Sequence, residues 1–127
     1  LIDTAPQPDL YLCIPAESGG QVRPAKKNYY AGAPELAVEI TESSTQIDFG
    51  AKMALCARSG VREYITVEPY WNKLTWRSLV PFSYRDLKPG ADGIVRSRVF
   101  PGITAVLEQQ CAEPAHAALV HKLARGR

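Results

Sequence analysis

The sequence has little cysteine and nowhere concentrates it. Cys13, Cys56 and Cys111 are odd in number, far apart and without a C-x-x-C pair. That argues against a disulfide framework and a structural zinc site, and fits a reducing compartment. No apolar run approaches the roughly 18 residues of a membrane span, and the N-terminus has neither the basic start nor the apolar core of a signal peptide. The expectation is therefore a cytoplasmic protein without a membrane partner. Charge of one sign is also scarce. A formal net charge of +2 is compatible with nucleic-acid binding but does not call for it. The two histidines, His116 and His121, are five apart rather than i,i+4, so they are read as surface residues and not as a metal pair. There is no internal repeat, no phosphate-cradling glycine loop and no nucleophile elbow. The first residue is Leu1 and the single methionine is Met53, so the chain is read as a fragment or a processed form.

What is present is the composition of a globular domain, 46% hydrophobic and 22% charged. Its 127 residues suffice for one packed core and are too few for two ordinary domains. The most informative stretch is 32–52, GAPELAVEITESSTQIDFGAK. Leu36, Val38 and Ile40 alternate with Glu35, Ala37, Glu39 and Thr41, the period of a two-faced strand. A carboxylate inside such a strand is costly to bury unless it is paired, hydrogen-bonded or bound to a metal, so Glu39 needs a reason to be there. Ser43, Ser44 and Thr45 offer helix-capping oxygens, and Thr45 with Asp48 has capping-box spacing. A helix is expected from here to Arg58 or Ser59. Ile47, Ala51, Ala54 and Leu55 form its apolar side, and Gly60 forms a left-handed cap.

Upstream, Asp9 opens a second alternating run to Ile14. Residues 17–28 read as a polar hairpin-like connection whose Lys26 and Lys27 are solvated charge or a weak phosphate contact, the former being favoured. Tyr29 and Tyr30 are read as packing rather than as a base-stacking platform. Downstream, residues 61–68 (VREYITVE) form a strand parallel to the central one, making a strand-helix-strand crossover. A fourth strand centres on Leu74 and Trp76. Short strands are expected in 82–87 and 94–100, with one more edge strand in 103–107. Residues 114–127 read as a basic, alanine-rich helical tail.

Two acids on neighbouring strands with a base nearby suit metal-assisted hydrolysis of a phosphodiester. A hard cation such as magnesium takes oxygen ligands, often one or two carboxylates plus waters. Asp9 and Glu39 are the candidates, with the Ile40 carbonyl as a third ligand and Lys52 as the ammonium at the phosphate. Each has an ordinary alternative. An Asp after Pro8 marks a strand edge, and Asp48 and Lys52 have the spacing of a surface ion pair, a reading that spacing alone favours.

The run PELAVEITESST, followed by D-x-x-x-K, SGVREY, a strand ending in Glu-Pro, and SRVFPG, resembles the Uma-two family of bacterial proteins over about residues 8–107. The resemblance implies a restriction-endonuclease-like PD-(D/E)XK fold, an α/β (α+β) mixed sheet with a central strand-helix-strand unit and C-terminal β-hairpins. The chain is read as an N-terminally incomplete domain of this kind over 1–110, followed by a basic helical tail over 111–127. The resemblance also implies a DNA endonuclease dependent on magnesium or manganese, in which Pro8-Asp9 matches the PD pair and Glu39 the acidic member of (D/E)XK. Thr41 stands where the superfamily carries lysine, and Lys52 is the replacement. Glu35 and Glu68 stand where the family usually has Asp. The N-terminal helix and strand usual in the family have no counterpart before Pro8, which would leave a sheet edge open to homodimerisation. A non-catalytic nucleic-acid or protein interaction module of the same fold is the alternative function.

Overall fold

The computed structural model describes residues 7–44 and 49–106. In chain order these form β1 (Leu10–Leu12), β2 (Arg23–Pro24), β3 (Tyr30–Ala31), β4 (Leu36–Ile40), α1 (Gly50–Ser59), β5 (Glu63–Glu68), β6 (Lys73–Leu79), β7 (Tyr84–Asp86), β8 (Ile94–Arg96) and β9 (Thr104–Val106). Five strands make one mixed sheet in the order β1-β4-β5-β6-β7, while β2-β3 and β8-β9 are separate two-stranded pairs. This is the α/β architecture expected of a restriction-endonuclease-like fold.

The crossover forms as its sequence pattern demands. β4 and β5 run parallel in the register Leu36↔Glu63 through Ile40↔Val67, and α1 lies between them in sequence. All of β5 and all of β4 up to Glu39 are buried, because both sheet faces are covered. On one face Leu36, Val38, Ile65, Val67, Leu74 and Trp76 pack against Val95 and Ala105 of the β8-β9 pair. On the other, Ala37 and Tyr64 pack against Cys56 of α1 and Val61. Burying each large apolar side chain contributes roughly 1.5–3 kcal/mol, so these two clusters fix which face each alternate residue takes.

α1 ends where expected. Gly60 adopts φ 90°, and its amide donates to the carbonyls of Cys56 and Ala57. Its buried side differs from the sequence expectation. Ala51 and Ala54 are exposed, and the contact with the sheet is made by Cys56 with Met53 beside it. Positions 53, 56 and 60 fall on one stripe at helical spacing. The alanines' weak apolar signal pointed to the wrong side. The capping pair Thr45 and Asp48, the Asp48–Lys52 ion pair, Ile47, the histidines and the C-terminal tail lie outside the described residues.

Two further expectations change. The 9–14 strand shortens to Leu10–Leu12 and sits at the sheet edge, with Leu10, Tyr11 and Leu12 all exposed. Tyr29 and Tyr30 are 61% and 59% exposed rather than packed, because they belong to the small β2-β3 pair and its approach rather than to the five-stranded sheet. The connection through residues 13–21 is held tightly. Glu35, wholly buried, accepts hydrogen bonds from the amides of Ile14 and Gln21, both at 2.7 Å. A Cβ on Gly20 would collide with the Ile14 carbonyl oxygen, so this turn requires glycine. Among the described residues no helix is long and apolar enough to cross a membrane.

Candidate active site

β1 runs antiparallel to β4 with Leu10 opposite Val38, which brings Asp9, one residue earlier, to Glu39. The two acids are joined through backbone amides. The Asp9 amide donates to Glu39 Oε1 at 3.2 Å, and the Ile40 amide donates to Asp9 Oδ2 at 2.8 Å. From α1, Lys52 Nζ donates to Glu39 Oε2 at 2.9 Å. Lys52 lies one position beside the buried Met53–Cys56 stripe, so its chain reaches down to the sheet. The structure thus gathers Asp9, Glu39, Lys52 and the Ile40 backbone at one place.

Exposure grades across this cluster. Glu39 is 8% exposed and Asp9 lies at the surface, so one carboxylate is rigidly held and the other faces solvent. The Lys52 side chain is 65% exposed, and its ion pair alone contributes little to stability. The hydrogen bond to Glu39 and that residue's charge push the Lys52 pKa above its ordinary value, with Asp9 adding to the effect. Lys52 therefore stays an ammonium and a donor.

Thr41, two residues after Glu39, is engaged otherwise. Its amide donates to the Val67 carbonyl and its Oγ1 accepts the Ser43 amide. The position belongs to the strand exit.

Among the described residues no group of three or more His, Cys, Asp or Glu side chains is close enough to hold a metal ion. The donor set is two carboxylates, one of them exposed. That matches magnesium, which keeps several waters and is bound through one or two carboxylates. It does not match zinc or a caged calcium.

The neighbours of this cluster follow from register. Glu39 pairs with Thr66 and Ala37 with Tyr64, so Tyr64 and Thr66 share the acids' face. Arg77 of β6 donates to Thr66 Oγ1 at 3.0 Å, and its guanidinium lies 5.9 Å from the Tyr64 ring centroid. The sequence reading singled out none of the three. A strand's period of two puts Tyr64 and Thr66 on one side, but only the register attaches that side to Glu39. Glu35 and Glu63, both wholly buried, are satisfied by protein donors away from this cluster.

Burial dominates the thiol beneath the site. Desolvation, followed by the Glu39 charge, pushes Cys56 up to about 11, against a smaller opposing effect of Lys52. Unfolding returns the thiol to its ordinary 9.0. Between those values the unfolded chain holds fewer protons than the folded one, so stability is full below about 9 and falls as pH rises toward about 11. The Tyr64 and Tyr84 phenols, raised chiefly by burial, extend the loss to higher pH. Urea midpoints measured across this range should decline for the native chain and less steeply for Cys56→Ala. Iodoacetamide mapping at pH 8 should label exposed Cys13 well before Cys56.

No curated protein matches this sequence. A family model does: Uma2, described as "Putative restriction endonuclease", matches residues 2–109. That span takes in β1 to β9, and with them Asp9, Glu39 and Lys52. The chain belongs to the Uma2 family.

Proposed function

We propose that the chain is a metal-dependent endonuclease acting on DNA, with Asp9 and Glu39 holding magnesium or manganese and the Ile40 carbonyl serving as a third oxygen ligand. The observation that carries this reading is the hydrogen-bonded junction of Asp9, Glu39 and Lys52, two acids and an ammonium from three separate elements. When bound, the cation would supply charge stabilisation at the phosphate and acidify a water.

The protein's own groups divide the remaining work. Glu39, fixed by β4 and by the Asp9 amide, gives a carboxylate whose position does not depend on substrate. Asp9, at the exposed strand start, meets solvent and phosphodiester together. Lys52 pairs with Glu39 while no substrate is present. Its exposed ammonium can turn toward a phosphate oxygen, replacing one anionic partner with another. The family description supports the nuclease class, and DNA is the substrate that class takes.

The test is cleavage of supercoiled plasmid and single-stranded DNA with magnesium or manganese, run on this chain and an N-terminally extended form. Nicking that requires metal and is lost in Asp9→Asn is the expected result. Nicking that survives chelation would sink the metal reading. Salt-sensitive DNA binding without turnover in either form would favour the interaction module, since phosphate contacts release counterions whether or not chemistry follows.

A further inference from the structure

We propose that Tyr64 is a positioning residue of the Asp9–Glu39 site: its hydroxyl holds a water against Glu39 and so strengthens the grip of the two carboxylates on a divalent cation. This rests on the metal-binding reading above.

Tyr64 is fully buried, and among the described residues no protein group hydrogen-bonds its Oη. Buried phenols ordinarily find a partner, and a protein that needs only an aromatic core residue is served by phenylalanine. Tyr84 makes the contrast. It stacks on Tyr64 with centroids 5.6 Å apart, and its own hydroxyl donates to the Val61 carbonyl at 2.6 Å. Of these two stacked phenols, one is satisfied by protein and the other has no protein partner among the described residues.

Placement says where that partner belongs. Tyr64 sits beside Ala37, and Thr66 beside Glu39, so Tyr64 is on the acids' face, one strand across and two residues back. Its ring is fixed by Tyr84 and by the Arg77 guanidinium. Burial raises the phenol's pKa most, followed by the Cys56 and Glu39 charges, with a smaller contribution from Asp9.

Glu39 can use such a neighbour. An ionised carboxylate has about four acceptor positions, and among the described residues two are filled, one from the Asp9 amide and one from Lys52. Tyr64 does not bond Glu39 directly, so the link is a water, which accepts from the hydroxyl and donates to the carboxylate. Groups that orient a metal ligand in this way are typically worth about 10–100-fold in metal affinity.

Tyr64→Phe removes the hydroxyl and keeps the ring, its stacking and its contact with Arg77. The test is manganese affinity by calorimetry on the metal-free chain, alongside the thermal midpoint, for the wild type, Tyr64→Phe, Tyr84→Phe and Glu39→Gln. Tyr64→Phe should bind manganese about 10–100-fold more weakly with an unchanged or higher midpoint, because no protein hydrogen bond is lost. Tyr84→Phe should lower the midpoint and leave affinity alone. Wild-type affinity in Tyr64→Phe would overturn the inference, and so would a lowered midpoint, which would reveal a structural partner for the hydroxyl. If the wild type binds no manganese, or Glu39→Gln binds it unchanged, the metal reading itself falls. If Glu39→Gln abolishes binding while Tyr64→Phe does not affect it, only the role of Tyr64 falls.

Discussion

Glu39→Gln should abolish metal-dependent cleavage and leave the protein folded. The substitution keeps the length and shape of the side chain, and the amide oxygen can still accept the Asp9 amide that now meets Oε1. What disappears is the negative charge. Without it Asp9 is the remaining carboxylate, and Lys52 loses the partner that it meets at 2.9 Å. Charge stabilisation by a bound cation is worth several kcal/mol at the transition state, and each 1.36 kcal/mol is tenfold in rate. A loss of about 10³-fold is therefore expected, close to the floor of a plasmid-nicking assay. Stability should move little, since the lost ion pair has a mostly exposed lysine at one end. The measurements are single-turnover cleavage and a thermal midpoint on the same samples. Undiminished cleavage by the folded variant would remove Glu39 from the chemistry. A collapsed midpoint would make it a structural carboxylate like Glu35.

That comparison shows what the sequence could and could not say. Glu35 and Glu39 share a strand face and an alternating pattern, yet one is clamped by the amides of Ile14 and Gln21 and the other meets a surface aspartate and a lysine. The period-two pattern locates both acids on one face, because successive side chains of a strand point to opposite faces. It does not tell which acid is clamped by two backbone amides, because those donors come from a loop 14 and 21 residues away in sequence. Asp9 and Glu39 became a pair for a similar reason: the residue types suggested it, and the antiparallel register of β1 on β4 brought it about. Lys52 was legible as a helical cation, but its direction was not, since the helix face was read from Ala51 and Ala54 while Cys56 makes the contact. Alanine, cysteine and methionine differ too little in apolar signal for periodicity alone to rank them. The parallel crossover was the most legible feature, because a strand, a helix with a glycine stop and a second apolar strand allow few other packings.

The second large effect is expected far from the acids, in Glu63→Ala, which should cost about 3–9 kcal/mol of folding stability through three donors left unpaired at roughly 1–3 kcal/mol each. Glu63 is wholly buried on the face that carries Ile65 and Val67. Its Oε1 accepts Ser97 Oγ at 2.6 Å and Trp76 Nε1 at 3.3 Å, and its Oε2 accepts the Arg98 amide at 2.7 Å. Ser97 Oγ in turn accepts the amides of Val99 and Phe100. One carboxylate thus organises the whole turn after β8, and with it the seating of Phe100 and Ile103 against the core. Small domains have only about 5–15 kcal/mol in total, so the variant should lie near its unfolding threshold, and urea denaturation will show it as a lowered midpoint. Glu63→Gln supplies a single acceptor oxygen and should fall between the two. A loss below about 1 kcal/mol in Glu63→Ala, the worth of one ordinary hydrogen bond, would mean that the β8-β9 pair is held by apolar packing alone. The same experiment separates scaffold from chemistry. The β8-β9 pair backs the sheet face opposite Glu39, so Glu63→Ala should lose nuclease activity only in proportion to the unfolded fraction and recover it on cooling toward the stability maximum, whereas Glu39→Gln should stay inactive at every temperature at which it is folded.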